Sequence, residues 1–170
     1  MLMNIPKVPR AVIAGVALSL VSFSASADAL SSNFSFRVVE VNDSGQEQLV
    51  ERGSARPGEV IHYQLRHENN SEEAMAGIVI AAPVPDGVSL TIGGETTSVP
   101  AVFEVQAELD PEQDGLEWST LPAMRKVVEA DGSLREEPLP EEAIAAVRWT
   151  LSEPLEAGAA AVNTYRVRIN

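Results

Sequence analysis

The chain has 170 residues, with 12 basic side chains against 25 acidic ones and no cysteine. A formal charge of −13 opposes binding to nucleic acid and to anionic membrane surfaces, since both are polyanions. Without cysteine, disulfides and thiol nucleophiles are excluded, so a packed core has to hold the fold alone.

Residues 1–27 carry the parts of an export signal. Lys7 and Arg10 form a short positive region, and A-V-I-A-G-V-A-L-S-L-V-S-F (11–23) is an apolar run. That run is shorter than the roughly 20 residues a spanning helix needs. Ala25-Ser26-Ala27 supplies the small-residue pattern that predicts cleavage before Asp28. A lipid anchor would require a cysteine after the cut, and the later sequence shows neither a second apolar span nor a lipid signal.

The expected mature protein is therefore residues 28–170, exported to the periplasm or the cell exterior without a membrane anchor. Loss of Lys7 and Arg10 leaves 10 basic residues against 25 acidic ones, a net of −15. The remaining 143 residues (170 minus 27) suffice for one domain, because chains near that length bury about two-thirds of their unfolded surface.

Period-two alternation broken by turn dipeptides dominates the mature chain, and no helical stripe is long enough for a full helix. N-F-S-F-R-V-V-E-V (33–41) reads as a strand, turned by Asp43-Ser44-Gly45 into residues 46–51. Pro57-Gly58 fits a type II turn, in which Gly takes the positive φ. From Val60 to Glu68 the alternation sends Ile61, Tyr63 and Leu65 to one face and His62, Gln64 and Arg66 to the other. Tyr63 is the expected core anchor there, and Asn69-Asn70-Ser71 closes the strand.

A further strand, G-I-V-I-A-A (77–82), ends at P-V-P-D-G (83–87). Past Gly93-Gly94, A-V-F-E-V-Q-A-E-L (101–109) turns Phe103, Val105, Ala107 and Leu109 inward. The stretch 110–145 is looser, with one helical turn expected at 140–144, its acids near the positive end. A-V-R-W-T-L (146–151) and A-V-N-T-Y-R-V-R-I (161–169) complete about seven to nine strands without an internal repeat. The expectation is all-β: one antiparallel β-sandwich of immunoglobulin type.

Four clusters invite chemical readings. His67-Glu68-Asn69-Asn70-Ser71 begins like the zinc motif H-E-x-x-H, but Ser71 stands in the second histidine's place and the motif needs a helix. His62 and His67, an odd number apart on a strand, face opposite sides and cannot share a metal. Asp43-Ser44-Gly45 is a single D-S-G, whereas aspartic-protease chemistry needs two carboxylates sharing a proton. Asp110, Glu112 and Asp114, with Gly115, approximate the oxygen spacing of a calcium loop. Leu121 occupies the place of its closing glutamate. Of the large aromatics, Trp149, Tyr63 and Tyr165 fall on core positions, which leaves Trp118 as a sugar platform.

Residues 56–88 (R-P-G-E-V-I-H-Y-Q-L-R-H-E-N-N-S-E-E-A-M-A-G-I-V-I-A-A-P-V-P-D-G-V) resemble the conserved repeat of bacterial surface proteins called domain of unknown function eleven. Pro57, Gly58, Tyr63, Asn69, Pro83, Pro85 and Gly87 occupy that repeat's turn, strand and corner positions. Residues 114–122 and 147–169 look like the closing segments of single-copy exported relatives. Many relatives carry an aspartate where this chain has Ala82, so no role of that carboxylate carries over.

The resemblance implies an immunoglobulin-like sandwich with an extracytoplasmic structural or adhesive role. It implies no catalytic residues, no cofactor and no metal ligands. The leading expectation is thus a non-enzymatic exported module that meets another exported protein through a sheet edge or face. The alternative is a calcium- or carbohydrate-binding module using residues 110–121.

Overall fold

A computed structural model describes residues 29–170; the expected signal segment, 1–27, lies outside the described residues. Twelve strands follow in chain order. The first six are β1 (Leu30–Val41), β2 (Glu47–Val50), β3 (Val60–Asn69), β4 (Val79–Pro83), β5 (Val88–Leu90) and β6 (Thr96–Thr97). The rest are β7 (Ala101–Ala107), β8 (Glu117–Ser119), β9 (Met124–Val128), β10 (Leu134–Pro138), β11 (Ala146–Leu151) and β12 (Ala160–Ile169).

One sheet runs β2-β1-β3-β12-β5, with β6 also on β12; a second runs β4-β11-β7-β8. Every pairing is antiparallel, and β9 with β10 forms a separate hairpin. The fold is an all-β sandwich, as the alternation predicts. Three of the twelve strands (β5, β6 and β8) are three residues or shorter, leaving nine longer ones.

Alternate residues of both sheets supply one shared core. From the first sheet come Val38, Ile61, Leu65, Tyr165 and Val167; from the second, Ile80, Ala82, Val105, Ala107, Val147, Trp149 and Leu151. Trp149 is buried at the centre, 5.1 Å from the Phe103 ring and 6.2 Å from that of Tyr165. The Tyr165 hydroxyl donates to the Pro83 carbonyl at 3.1 Å, joining the sheets by a polar tie. Burial pushes this phenol well above the usual tyrosine range.

The turns form for the reasons the sequence suggests. Asn42 Oδ1 accepts from the amides of Ser44 (3.0 Å) and Gln46 (2.9 Å), closing the β1–β2 hairpin. Glu59 N donates to Arg56 O at 3.1 Å, and Gly58 sits at φ +86°, the positive value a type II turn requires.

Asn69 does more than close its strand. It is fully buried, and its Nδ2 donates to the carbonyls of Glu73 (2.8 Å) and Leu155 (2.9 Å). Its Oδ1 accepts from Ser71 N at 3.0 Å and Ser71 Oγ at 2.6 Å. One amide thus clamps the β3 exit to the turn that precedes β12.

Residues 110–145, the loosest part of the sequence pattern, hold β8, the β9–β10 hairpin and a short 3-10 turn at Glu141–Ala143. The turn falls where a helical turn is expected. Glu141 Oε1 accepts from Ile92 N at 2.9 Å and ties it to the segment after β5.

Candidate interaction edge

The first sheet contains a long unpaired stretch. β1 pairs with β3 along Leu30–Val39, but on its other side β2 covers only Val38–Val41. Among the described residues, no strand pairs with the other side of Leu30–Arg37, a stretch eight residues long. Every other amide and carbonyl of such a run points toward whatever lies beyond it. The remaining sheet margins are shorter: β4 has five residues and ends in Pro83, and β8 has three.

The same stretch carries apolar side chains that the second sheet does not cover. Phe34 and Phe36 share the inward face with Val38 by strand parity, yet they are 56% and 42% exposed. Phe34 stacks on Tyr63 at 5.2 Å, and Phe36 meets it edge-on at 6.3 Å. Tyr63 in turn lies 5.0 Å from Tyr165. A continuous aromatic row thus leads from the buried Trp149 out to the free edge. Tyr63, expected as a core anchor, is only half-buried, and the rings beside it on β1, Phe34 and Phe36, are exposed.

Beside these rings is an open groove of about 310 Å³ lined by Phe34, Ser35, Phe36, Glu51, Arg52 and Gly53. It lies where β2 would continue along β1. The chain leaves that path at Arg52, which pairs with Glu40 at 3.3 Å and Glu59 at 2.9 Å. Alternation in N-F-S-F-R marks a strand and sets both phenylalanines on one face. Their exposure follows from sheet order, to which the strand's own pattern is blind.

The residues singled out in the sequence have these surroundings. His62 lies on the outer face of the first sheet, in register with Arg37 on β1 and Arg166 on β12. Burial, and then these two guanidiniums, lower its pKa from the ordinary histidine value. His67 lies on the opposite face of β3, and burial lowers its pKa too. The two imidazoles are not brought together.

At the acidic loop, Lys126 Nζ holds Asp110 Oδ2 at 2.8 Å, and Glu112 N donates to Oδ1 at 3.1 Å. Both oxygens of Asp110 are thereby engaged, and the Lys126 hydrogen bond keeps its carboxyl below the usual range. Glu112 and Asp114 point to solvent. Among the described residues, no group of three or more His, Asp or Glu side chains could hold a metal ion.

Trp118 is half-buried on β8, with the Arg148 guanidinium 4.3 Å above its ring. Arg148 is held in turn by Glu104 at 2.7 Å, so one face of this aromatic is occupied. Ala82, at the corner position where many relatives in the resemblance carry aspartate, is buried in the core. Compared with models of protein families, with curated proteins and with solved structures, the chain returns no match.

Proposed function

We propose that this chain is an exported, non-enzymatic module of immunoglobulin-like type with a structural or protein-interaction role in the bacterial periplasm or at the cell exterior. The observation that carries the proposal is the free side of β1 with Phe34 and Phe36 exposed along it. Backbone groups of an unpaired edge offer affinity to an incoming extended chain, and side-chain pockets beside the edge offer selectivity. The groove lined by Phe34, Phe36 and Gly53 has that relation to the edge.

Export rests on the pattern of residues 1–27, and the extracytoplasmic role also on the resemblance of residues 56–88 to domain of unknown function eleven. Fractionation of producing cells, followed by chemical cross-linking of the exported fraction, tests both parts. The expected result is the chain outside the cytoplasm, in a covalent adduct of discrete mass. Retention in the cytoplasm, or recovery of uncross-linked monomer alone, would overturn the proposal.

A further inference from the structure

We infer that the partner seated on the free side of β1 is a second copy of this chain, paired antiparallel through the same strand about a two-fold axis. The inference rests on the proposal that the module works through this edge.

Strand parity limits the registers. Antiparallel pairing that keeps both inward faces on one side requires the numbers of facing residues to sum to an even value. Pairing centred on Phe34, with each sum at 68, stays within the unpaired stretch: Ser31 meets Arg37, Ser32 meets Phe36, Asn33 meets Ser35, and Phe34 meets its own counterpart. Centring on Ser35 instead leaves only Asn33–Arg37 to pair before Val38, which β2 engages, and centring on Asn33 sets Phe34 against Ser32 in place of its own counterpart.

The strand is complementary to itself in that register. The large Phe36 faces the small Ser32, and Phe34 stacks against Phe34, as aromatic cross-strand pairs favour. Each copy's exposed rings would cover those of the other and join the two aromatic rows.

Charge points the same way. Two copies of a −13 chain repel at long range, so self-association favours a contact poor in carboxylates, and in the groove beside these rings Glu51 is the one carboxylate. Residues 29–39 contain no acidic side chain, and Arg37 is their one charge. In the stated register Arg37 faces Ser31, so like charges never meet. The strand also lacks the lysine, proline or bulge that commonly blocks edge pairing. An isologous contact of this kind closes on itself and gives a dimer, not a fibre.

The chain, expressed as residues 1–170 and purified as the cell processes it, should show the mass of two copies by light scattering, falling to one on dilution. Phe34→Lys should give the mass of one copy at every concentration, with the circular-dichroism spectrum kept and a melting midpoint that no longer depends on concentration. Ser32→Lys, which alters an exposed residue facing Phe36 of the other copy, should do the same and guards against a folding defect in the first variant. Register is read with single cysteines, clean because the chain has none. A mixture of Asn33→Cys and Ser35→Cys chains should form interchain disulfide several-fold faster than either variant alone.

A native chain that stays at one copy up to its solubility limit would overturn the inference, as would a dimer that both lysine variants leave intact. Equal disulfide rates in the mixture and the single variants would overturn the register. A monomer that still forms adducts with a different exported protein in producing cells would sink the self-pairing and leave the module proposal standing.

Discussion

Asn69 combines two signals that a sequence expresses as one. A short polar side chain after a strand reads as a turn, and here it is one, since Ser71 donates to its Oδ1. Its Nδ2 meanwhile reaches the carbonyl of Leu155, 86 positions away, in a fully buried setting. Replacing a buried hydrogen-bonding group strands its former partners, at about 1–3 kcal/mol for each group left unsatisfied. Asn69→Ala should therefore lower stability by about 2–3 kcal/mol in urea denaturation. A loss within about 0.5 kcal/mol, ordinary for surface changes, would show that the clamp contributes little.

Trp149 is the opposite case, a residue whose role the alternation of residues 146–151 already shows. It is buried against Phe103 and Tyr165, and Trp149→Ala should cost about 3–5 kcal/mol. The same urea titration checks it, and a loss below about 1 kcal/mol would remove Trp149 from the centre of the core.

His62 predicts a pH dependence. Its folded pKa lies below the unfolded reference of 6.5, so the unfolded chain binds the proton more readily. The stability it contributes is complete above pH 6.5 and declines as pH falls through the depressed folded value. His62→Gln should flatten the stability profile between pH 7 and about 5, before most carboxylates titrate. An unchanged slope would contradict the placement of His62 between Arg37 and Arg166.

Among the elements, β3, β7, β11 and β12 were legible because each has a buried face that repeats every second residue. Their turns were legible because Asn, Pro and Gly act locally. The free side of β1 was not legible for a physical reason. Whether a strand's second side is paired depends on how far its neighbour runs, and β2 ends at Val50 when Arg52 turns toward Glu40 and Glu59. The β9–β10 hairpin was hidden for another reason: its less exposed positions hold the ion pair of Arg125 with Glu137, while the apolar Met124, Val128 and Leu134 stand exposed, so no buried apolar face marks it.

That hairpin pairs with neither sheet and is attached through Lys126 N to Leu109 O at 2.8 Å and through the buried Ala123 and Leu139 at its base. Two strands alone are marginally stable in water. Amides of Val127–Leu134 should therefore exchange with solvent orders of magnitude faster than those of Ile61–Leu65 or Tyr165–Val167. Equal protection across the three segments would mean that the hairpin opens only with the whole fold.

At the scale of the molecule, an acidic surface encloses a core in which the packing of two sheets replaces any disulfide. The candidate site divides along the same line as the fold. The acidic loop and Trp118 were visible as motifs, yet Lys126 engages Asp110 and Arg148 covers one face of the tryptophan. The phenylalanines of β1 were visible only as part of a strand, because exposure belongs to the assembled sheets. With both oxygens of Asp110 already engaged, added calcium should leave the melting midpoint of this chain unchanged. A rise that Asp114→Ala abolishes would restore the calcium reading of residues 110–121.

The claim that β1 is the working surface is tested most directly by site-specific photo-cross-linking in the producing cell. A photoreactive side chain at Asn33, exposed on the free edge, is compared with one at Val102, exposed on the central strand β7. Protein adducts at position 33 and background labelling at position 102 are the predicted result. Adducts at position 102 with none at position 33 would contradict it.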